Sequence, residues 1–145
     1  MKKVTLLALF SLITLGVQAD LSEDFNSLTS GSWSSETDVV LPSGTWTFGG
    51  GAVYNKSSNV IAIKFNSAGA YMISPAMDSL ATIEFKYRSG GSNKKVEIAY
   101  QIGSEEWQVL DTLSIPSSSS SFSSYSHAVP ADSSLNVRVR IKGLA

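Results

Sequence analysis

The chain comprises 145 residues, with eleven basic and twelve acidic side chains, one histidine and no cysteine. This near balance of charge argues against binding to nucleic acid, because nucleic-acid-binding domains are usually distinctly basic. The lack of cysteine excludes disulfide bonds and, with a single histidine, leaves too few ligands for a zinc site.

Residues 1–19 have the layout of a secretory signal peptide. Lys2 and Lys3 form a basic start, residues 4–17 are mainly apolar, and Val17 and Ala19 provide small side chains before the cleavage point. The apolar stretch is shorter than the roughly 20 residues that a membrane-spanning helix needs. We therefore predict cleavage after Ala19, secretion to the periplasm, the cell surface or the extracellular medium, and no membrane span in the mature chain. An uncleaved anchor is the alternative.

The remaining 126 residues suit one domain with a single core, and their formal net charge is −3. Without disulfides this domain must depend on packing, backbone hydrogen bonds or a bound ion. Its first predicted strand carries Glu23, Asp24 and Asn26, whose oxygen atoms suit a structural calcium ion. No EF-hand-type loop supports such a site, so a plain surface strand is the competing interpretation.

Two-residue alternation between apolar and polar side chains recurs after Asp20 and predicts β-strands. The clearest strands are residues 81–88, 95–102 and 135–142. The first two flank a GGSN turn and are predicted to pair as a hairpin. Less regular strands are predicted at 45–48, 52–54, 60–65, 70–74 and 107–115.

About eight or nine short strands with regular turn signals predict an all-β fold, an antiparallel β-sandwich of the jelly-roll kind. The serine-rich residues 117–126 are predicted to form a flexible loop or a poorly ordered edge. The sequence ends in KGLA without the closing turn of a complete sandwich. We therefore expect a C-terminally truncated domain that lacks its last strand and belongs to a longer protein.

Residue types that perform catalysis are scarce and poorly spaced, which predicts a non-catalytic domain. His127 has no G-x-S-x-G nucleophile motif to accompany it and is expected on an exposed loop or strand. Glu105 and Glu106 are adjacent in a predicted turn, and neighbouring side chains on a strand point apart. Solvation explains these two carboxylates better than a paired acid and base.

Aromatic side chains are the main candidates for ligand binding, because sugar rings stack on exposed aromatic faces. Trp33, Tyr54 and Tyr125 lie in segments rich in Ser, Gly and Asn and are predicted to contact a ligand, with burial as the alternative. The remaining aromatic residues considered are predicted to be core, namely Trp46, Phe48, Phe85, Tyr87 and Tyr100, with Trp107 as a packing anchor.

The outward faces of the three clearest strands carry six basic side chains, namely Lys86, Arg88, Lys95, Arg138, Arg140 and Lys142. If these strands belong to one sheet, the surface is locally basic. Arg88, Arg138 and Arg140 could then pair with the carboxylates of an acidic polysaccharide. The alternative is a solvated face with cross-strand ion pairs to Glu84 and Glu97.

Seven segments from Leu21 onward occur in a characteristic order, namely EDFNS, LPSGTWTF, NKSSNVIAIKF, AYMISPAMDS, IEFKYRSGGSNKKVEIAY, EEWQVLDTLSI and VRVRIKG. This order resembles accessory jelly-roll domains found beside pectate lyases, extracellular nucleases and peptidases in Gram-negative bacteria. The resemblance implies a non-catalytic module with a C-terminal partner domain. It also implies a last strand with paired aspartates that helps to hold calcium, and this element is missing here, which weakens the expectation of calcium.

Together these features predict an exported, non-catalytic accessory module that is carbohydrate-binding or carbohydrate-associated. It would form the N-terminal part of a larger extracellular protein that acts on polysaccharides. Two alternatives remain open, a structural or adhesive spacer without sugar binding and an accessory domain of a secreted nuclease or peptidase. Structural calcium is the one cofactor considered.

Overall fold

The computed structural model describes residues 3–6, 13–16, 21–57, 60–77, 82–88, 94–116, 121–129 and 136–144. Regular structure in these residues is entirely β-strand, which confirms the predicted all-β class and is consistent with a β-sandwich. In this part of the chain, no helix is long and apolar enough to cross a lipid bilayer.

Fourteen strands follow one another along the described residues. They are β1 (Lys3–Leu6), β2 (Ile13–Gly16), β3 (Leu21–Glu23), β4 (Ser32–Trp33), β5 (Thr37–Leu41), β6 (Gly44–Gly49), β7 (Ala52–Ser57), β8 (Val60–Phe65), β9 (Tyr71–Ile73), β10 (Thr82–Tyr87), β11 (Lys94–Ile102), β12 (Gln108–Ile115), β13 (Ser123–Ala128) and β14 (Val137–Gly143).

The strands form three sheets. The large sheet has the order β12-β11-β14-β9-β6-β5, the N-terminal sheet has the order β13-β10-β1-β2-β3, and the small sheet has the order β4-β7-β8. Trp33 on β4 stacks on Phe48 of β6, and Tyr125 on β13 donates a hydrogen bond to Asp111 of β12. Both smaller sheets therefore pack against the inner face of the large one.

Aromatic rings fill the core at one end of the interface between sheets. Phe25, Trp46 and Phe48 are fully buried, and the ring of Phe25 meets the other two edge to face, with centroids 5.5 and 6.2 Å away. Phe25 has a positive φ of 57°, which is rare for a bulky side chain. The predicted burial of Trp46 and Phe48 is confirmed, as is that of Phe85 and Tyr100.

The predicted hairpin between residues 81–88 and 95–102 is wrong. Both segments are strands, but β10 pairs with β13 and β1, whereas β11 pairs with β12 and β14 in the large sheet. The chain thus crosses from one layer of the sandwich to the other between them. Alternation shows that each segment has a buried face, and both strands do turn that face inward from opposite layers.

The serine-rich segment is partly strand. Residues 117–120 lie outside the described residues, but Ser123–Ala128 forms β13 along the edge of the N-terminal sheet. Phe85 of β10 pairs with Tyr125 in this ladder, and their rings stack at 4.5 Å. The loop alternative of the prediction fails there and the edge alternative gives the position of the strand, because one buried aromatic residue anchors an otherwise polar edge strand. Residues 3–6 and 13–16 of the predicted leader are also strands, and its cleavage stays a prediction.

Candidate functional site

The outer face of the large sheet brings an aromatic ring and two guanidinium groups together. Arg138 and Arg140 alternate with buried residues on β14 and therefore lie on this face. Trp107, directly before β12, places its ring under both of them. The Cζ atom of Arg140 is 4.7 Å from the ring centroid and that of Arg138 is 5.8 Å away. Both distances fall within the range of cation–π attraction.

Neighbouring side chains on β11 hold the two guanidinium groups in place. Arg140 Nη2 donates to Glu97 Oε1 at 2.9 Å, and Arg138 Nη2 donates to Gln101 Oε1. Arg138 and Gln101 are direct cross-strand partners in the register of β11 and β14. The Nε atom of Arg140 is buried and has no hydrogen-bond partner. The result is an ordered surface of one indole, two guanidinium groups, a carboxylate and an amide, which we call the Trp107 platform.

A second aromatic residue lies on the same face, one strand beyond β14. Tyr71 on β9 pairs with Lys142 of β14 and with Gly49 of β6. Its hydroxyl donates a hydrogen bond to Glu36 Oε2 at 2.6 Å. Burial, together with this hydrogen bond and the charge of Glu36, raises the pKa of Tyr71 to about 12, against a smaller opposing effect of Arg140. The phenol is therefore a neutral hydrogen-bond donor at physiological pH.

Basic side chains on this outer face are concentrated on two neighbouring strands. Lys95, Arg138, Arg140 and Lys142 lie on β11 and β14, where Glu97 offsets part of their charge. Asp38, which accepts a hydrogen bond from Thr47 at 2.6 Å, lies on the far edge strand β5. On β11 and β14 the basic side chains outnumber Glu97, but the exposed Glu105 and Glu106 directly before Trp107 add negative charge beside the platform.

Two of the aromatic residues predicted to bind a ligand are buried. Trp33 is 7% exposed, with its ring stacked on Phe48 at 4.3 Å, and Tyr125 is 8% exposed between Phe85 and His127. This burial corrects the prediction of exposed platforms at both positions, since the core covers these rings. Tyr54 is half-buried on β7 and packs against the core, apart from the Trp107 platform.

The predicted basic patch is divided between two sheets. Arg138 and Arg140 lie on the large sheet, but Lys86 lies on β10 of the N-terminal sheet and Arg88 directly follows that strand. The guanidinium group of Arg88 packs over the ring of Phe122 at 5.1 Å. The condition for a basic patch across all three strands, that they share one sheet, is therefore not met, and Arg88 is not part of the Trp107 platform.

Glu23 and Asp24, the predicted calcium ligands, are both occupied by hydrogen bonds within the protein. Glu23 is 2% exposed and accepts from the backbone N–H of Phe25 at 2.8 Å and from the hydroxyl of Ser43. Asp24 is exposed and accepts from the backbone N–H and the side chain of Asn26. Among the described residues, no cluster of three or more acidic, His or Cys side chains is placed to hold a metal ion.

His127 and Asp111 both adjoin Tyr125 at the edge where β12 and β13 meet. The Tyr125 hydroxyl donates to Asp111 Oδ2 at 3.1 Å, and the His127 ring stacks on the phenol at 6.2 Å. Burial and the Asp111 carboxylate raise the pKa of Tyr125 well above its usual value. The Nδ1 atom of His127 lies 2.8 Å from the carbonyl oxygen of Ala128. These contacts join the two layers of the sandwich.

Sequence reasoning identified Arg138 and Arg140 but missed Trp107, Tyr71 and Glu36 as their neighbours. Alternation along β14 placed the two arginines on the outer face. Trp107 precedes its strand and reaches them across β11, so only the pairing order of β12, β11 and β14 reveals the contact. Comparison with protein-family models, with curated proteins and with solved structures found no match to this chain.

Proposed function

We propose that the protein is an exported, non-catalytic accessory module that binds a polysaccharide on the Trp107 platform. The observation that carries this proposal is the contact of one half-buried indole with two guanidinium groups on the outer face of the large sheet. Sugars present C–H groups that pack on aromatic rings and hydroxyl groups that pair with planar polar side chains. Because the Trp107 side chain is only half-buried, the part of it that the arginines leave uncovered and the guanidinium groups themselves would offer these two kinds of contact.

The two guanidinium groups of the platform favour a polysaccharide that carries carboxylate groups. Arg138 and Arg140 present fixed guanidinium groups, and Lys142 adds positive charge beside them. Guanidinium groups pair bidentately with carboxylates, which makes arginine more selective than lysine for such ligands. Glu97 engages Nη2 of Arg140, the Nε atom of Arg140 is buried, and Gln101 engages Nη2 of Arg138, so the Nη1 atoms of the two arginines would contact the ligand.

Neighbouring strands place further polar side chains beside the platform, where a linear chain of sugars could lie. Arg140 and Tyr71 are on adjacent strands, about 4.8 Å apart in the direction of the hydrogen bonds. Tyr71 and Glu36 would therefore extend the contact beyond the platform, since the phenol remains protonated and polar. In this proposal the domain holds a longer extracellular protein on its polysaccharide and leaves the reaction to a partner domain.

Affinity electrophoresis on gels that contain polygalacturonate or a neutral glucan tests the proposal. We expect retention on the acidic polymer that weakens with salt, because exposed charges are screened. Trp107→Ala should weaken retention by at least about tenfold, the equivalent of about 1.4 kcal/mol. Val40→Ser is the matched control, since Val40 is 81% exposed on the far edge strand of the same sheet.

Retention that is unchanged in Trp107→Ala would reject this site. A lack of retention on every acidic and neutral glycan tested would reject sugar binding altogether and favour the spacer role. Reproducible turnover of a polysaccharide by the purified chain would reject the non-catalytic role.

A further inference from the structure

A cavity opens at one end of the sandwich, where β8 and β14 end and β11 begins. Its volume is about 30 Å³. This is room for about two water molecules or one short aliphatic group. None of the described residues that line the cavity belongs to the Trp107 platform, so the cavity is a separate candidate for a ligand.

The floor of this cavity is apolar and lies between two layers of the sandwich. Val96 and Gly143 are direct partners in the ladder of β11 and β14, and both are buried. Phe65 at the end of β8 faces them from the small sheet. A Cβ atom added at Gly143 would lie 3.6 Å from the Cβ atom of Phe65 and 3.3 Å from the carbonyl oxygen of Ser67. The absence of a side chain at position 143 therefore keeps this space open.

Backbone hydrogen bonds hold the wall that the connection between β8 and β9 forms. The N–H of Gly69 donates to the carbonyl oxygen of Gly143, and the N–H of Gly143 donates to that of Ala70, both at 2.8 Å. The hydroxyl of Ser67 donates to the carbonyl oxygen of Gly50 at 2.9 Å. The cavity is thus formed before a ligand arrives, as most small-molecule sites are.

Two lysines give the mouth of the cavity a positive charge. Lys94 and Lys95 begin β11, and both are exposed and line the cavity. Lys94 precedes Val96 by two residues, so its side chain lies on the same side of the strand as the apolar floor. In the described part of the chain neither ammonium group forms an ion pair, and no acidic side chain lines the cavity. An anion at the mouth would meet two cations and no competing carboxylate.

We propose that this cavity binds a short aliphatic carboxylate. Its carboxylate group pairs with Lys94 and Lys95 at the mouth, and its alkyl end lies against Val96 on the floor. The volume admits a short alkyl group but is too small for a sugar ring. Such a carboxylate occurs as a free acid or as an acidic ester substituent on a polysaccharide. The inference stands on the cavity alone and does not depend on sugar binding by the Trp107 platform.

Titration of the full chain with propionate tests the cavity, with the backbone amide signals of Val96 and Gly143 followed by NMR. We expect saturable shifts at millimolar propionate that weaken with salt, because exposed charges are screened. Propionamide, the uncharged analogue of the same size, should cause no saturable shift. The absence of saturable shifts with propionate, or an equal response to propionamide, would overturn the proposal.

Two variants separate the charged part of the contact from the apolar part. Lys94→Gln should weaken propionate binding about fivefold, since one of two exposed cations is lost. Gly143→Ala should weaken it by a similar factor, because the added methyl group narrows the floor. Lys56→Gln is the matched control, since Lys56 is exposed at the other end of the β7–β8 ladder from Phe65. Equal binding by Lys94→Gln and Lys56→Gln would overturn the role of the mouth.

Affinity gels distinguish the two sources of the carboxylate and separate this inference from the proposed function. Retention on succinylated dextran but not on unmodified dextran, lost in Lys94→Gln, would identify a substituent on a polysaccharide. Propionate binding without such retention would identify a free acid. Protein that binds propionate but is not retained on polygalacturonate keeps the cavity site and loses the Trp107 platform. Protein that is retained on polygalacturonate but ignores propionate loses the cavity site alone.

Discussion

The ring of Tyr71 lies so close to Gly49 that a Cβ atom added at Gly49 would fall 2.6 Å from the ring carbon Cζ and from the hydroxyl oxygen. The two residues face each other on neighbouring strands of the large sheet. A glycine is therefore required where the phenol crosses the sheet to reach Glu36. Packing at this one pair sets the position of an aromatic residue beside the Trp107 platform.

Gly49→Ala should displace the Tyr71 ring and weaken its hydrogen bond to Glu36. We expect a loss of about 1–3 kcal/mol in the free energy of unfolding, the usual cost of overpacking. Urea denaturation measures it. The clash is absent in the double variant Gly49→Ala with Tyr71→Ala. Its loss in free energy of unfolding should therefore be smaller than the sum of the losses in the two single variants. Additive losses would contradict the contact.

Gly50→Ala should destabilise the protein more than Gly103→Ala. Both glycines have positive φ, 65° and 57°, so alanine meets similar backbone strain. A Cβ at Gly50 would also fall 2.0 Å from the carbonyl oxygen of Gly69, whereas a Cβ at Gly103 meets no atom within 4 Å. We expect about 1 kcal/mol at Gly103 and at least about 3 kcal/mol at Gly50. Equal melting temperatures for the two variants would contradict the close approach of Gly50 to the carbonyl oxygen of Gly69.

Stability should decline at alkaline pH because two tyrosines resist ionisation in the folded state. The pKa of Tyr71 is raised from 10 to about 12, and that of Tyr125 is raised further. The unfolded chain releases these protons first, so their contribution is complete below about pH 10 and is lost as the pH rises through about 12. Thermal melts across this range should show a shallower decline in Tyr71→Phe and Tyr125→Phe. If stability declined as steeply in both variants as in the wild-type protein, the raised pKa values of Tyr71 and Tyr125 would be contradicted.

Glu23→Ala should destabilise the fold strongly, because it leaves the Phe25 N–H and the Ser43 hydroxyl without their acceptor. We expect a loss of about 2–4 kcal/mol. Glu23→Gln should cost less, since an amide oxygen can still accept one of these bonds. Because both carboxylate oxygens are already bonded, calcium or a chelator should leave the melting temperature of the wild-type protein unchanged. A rise in melting temperature on adding calcium would restore the predicted metal site.

Local patterns predicted the strands well but predicted their partners poorly. The limits of β8 match the predicted residues 60–65, and β10 and β11 lie where alternation placed them. Alternation reports that a strand has one buried face, which is a property of the segment alone. The neighbour across the ladder depends on where the connection crosses the core, so the predicted hairpin between β10 and β11 fails.

Trp33 and Trp107 show why the site was harder to predict than the fold. Small and polar neighbours suggested an exposed Trp33, yet its ring covers Gly31 and stacks on Phe48 from the opposite layer. Trp107 was expected to be a packing anchor, yet it lies beneath two arginines on the outer face. The exposure of an aromatic ring is decided by residues distant in sequence, which composition around it does not report.

The sequence alone determined the β class and the inward faces of the strands. It also identified Arg138 and Arg140 as candidate ligand-binding residues, because side chains alternate along a strand whatever its partners. The tertiary structure decided which strands are neighbours, and hence that an indole, two guanidinium groups and a carboxylate share one surface. That arrangement arises from contacts between β11, β14 and the start of β12, whose order in the sheet no local pattern encodes.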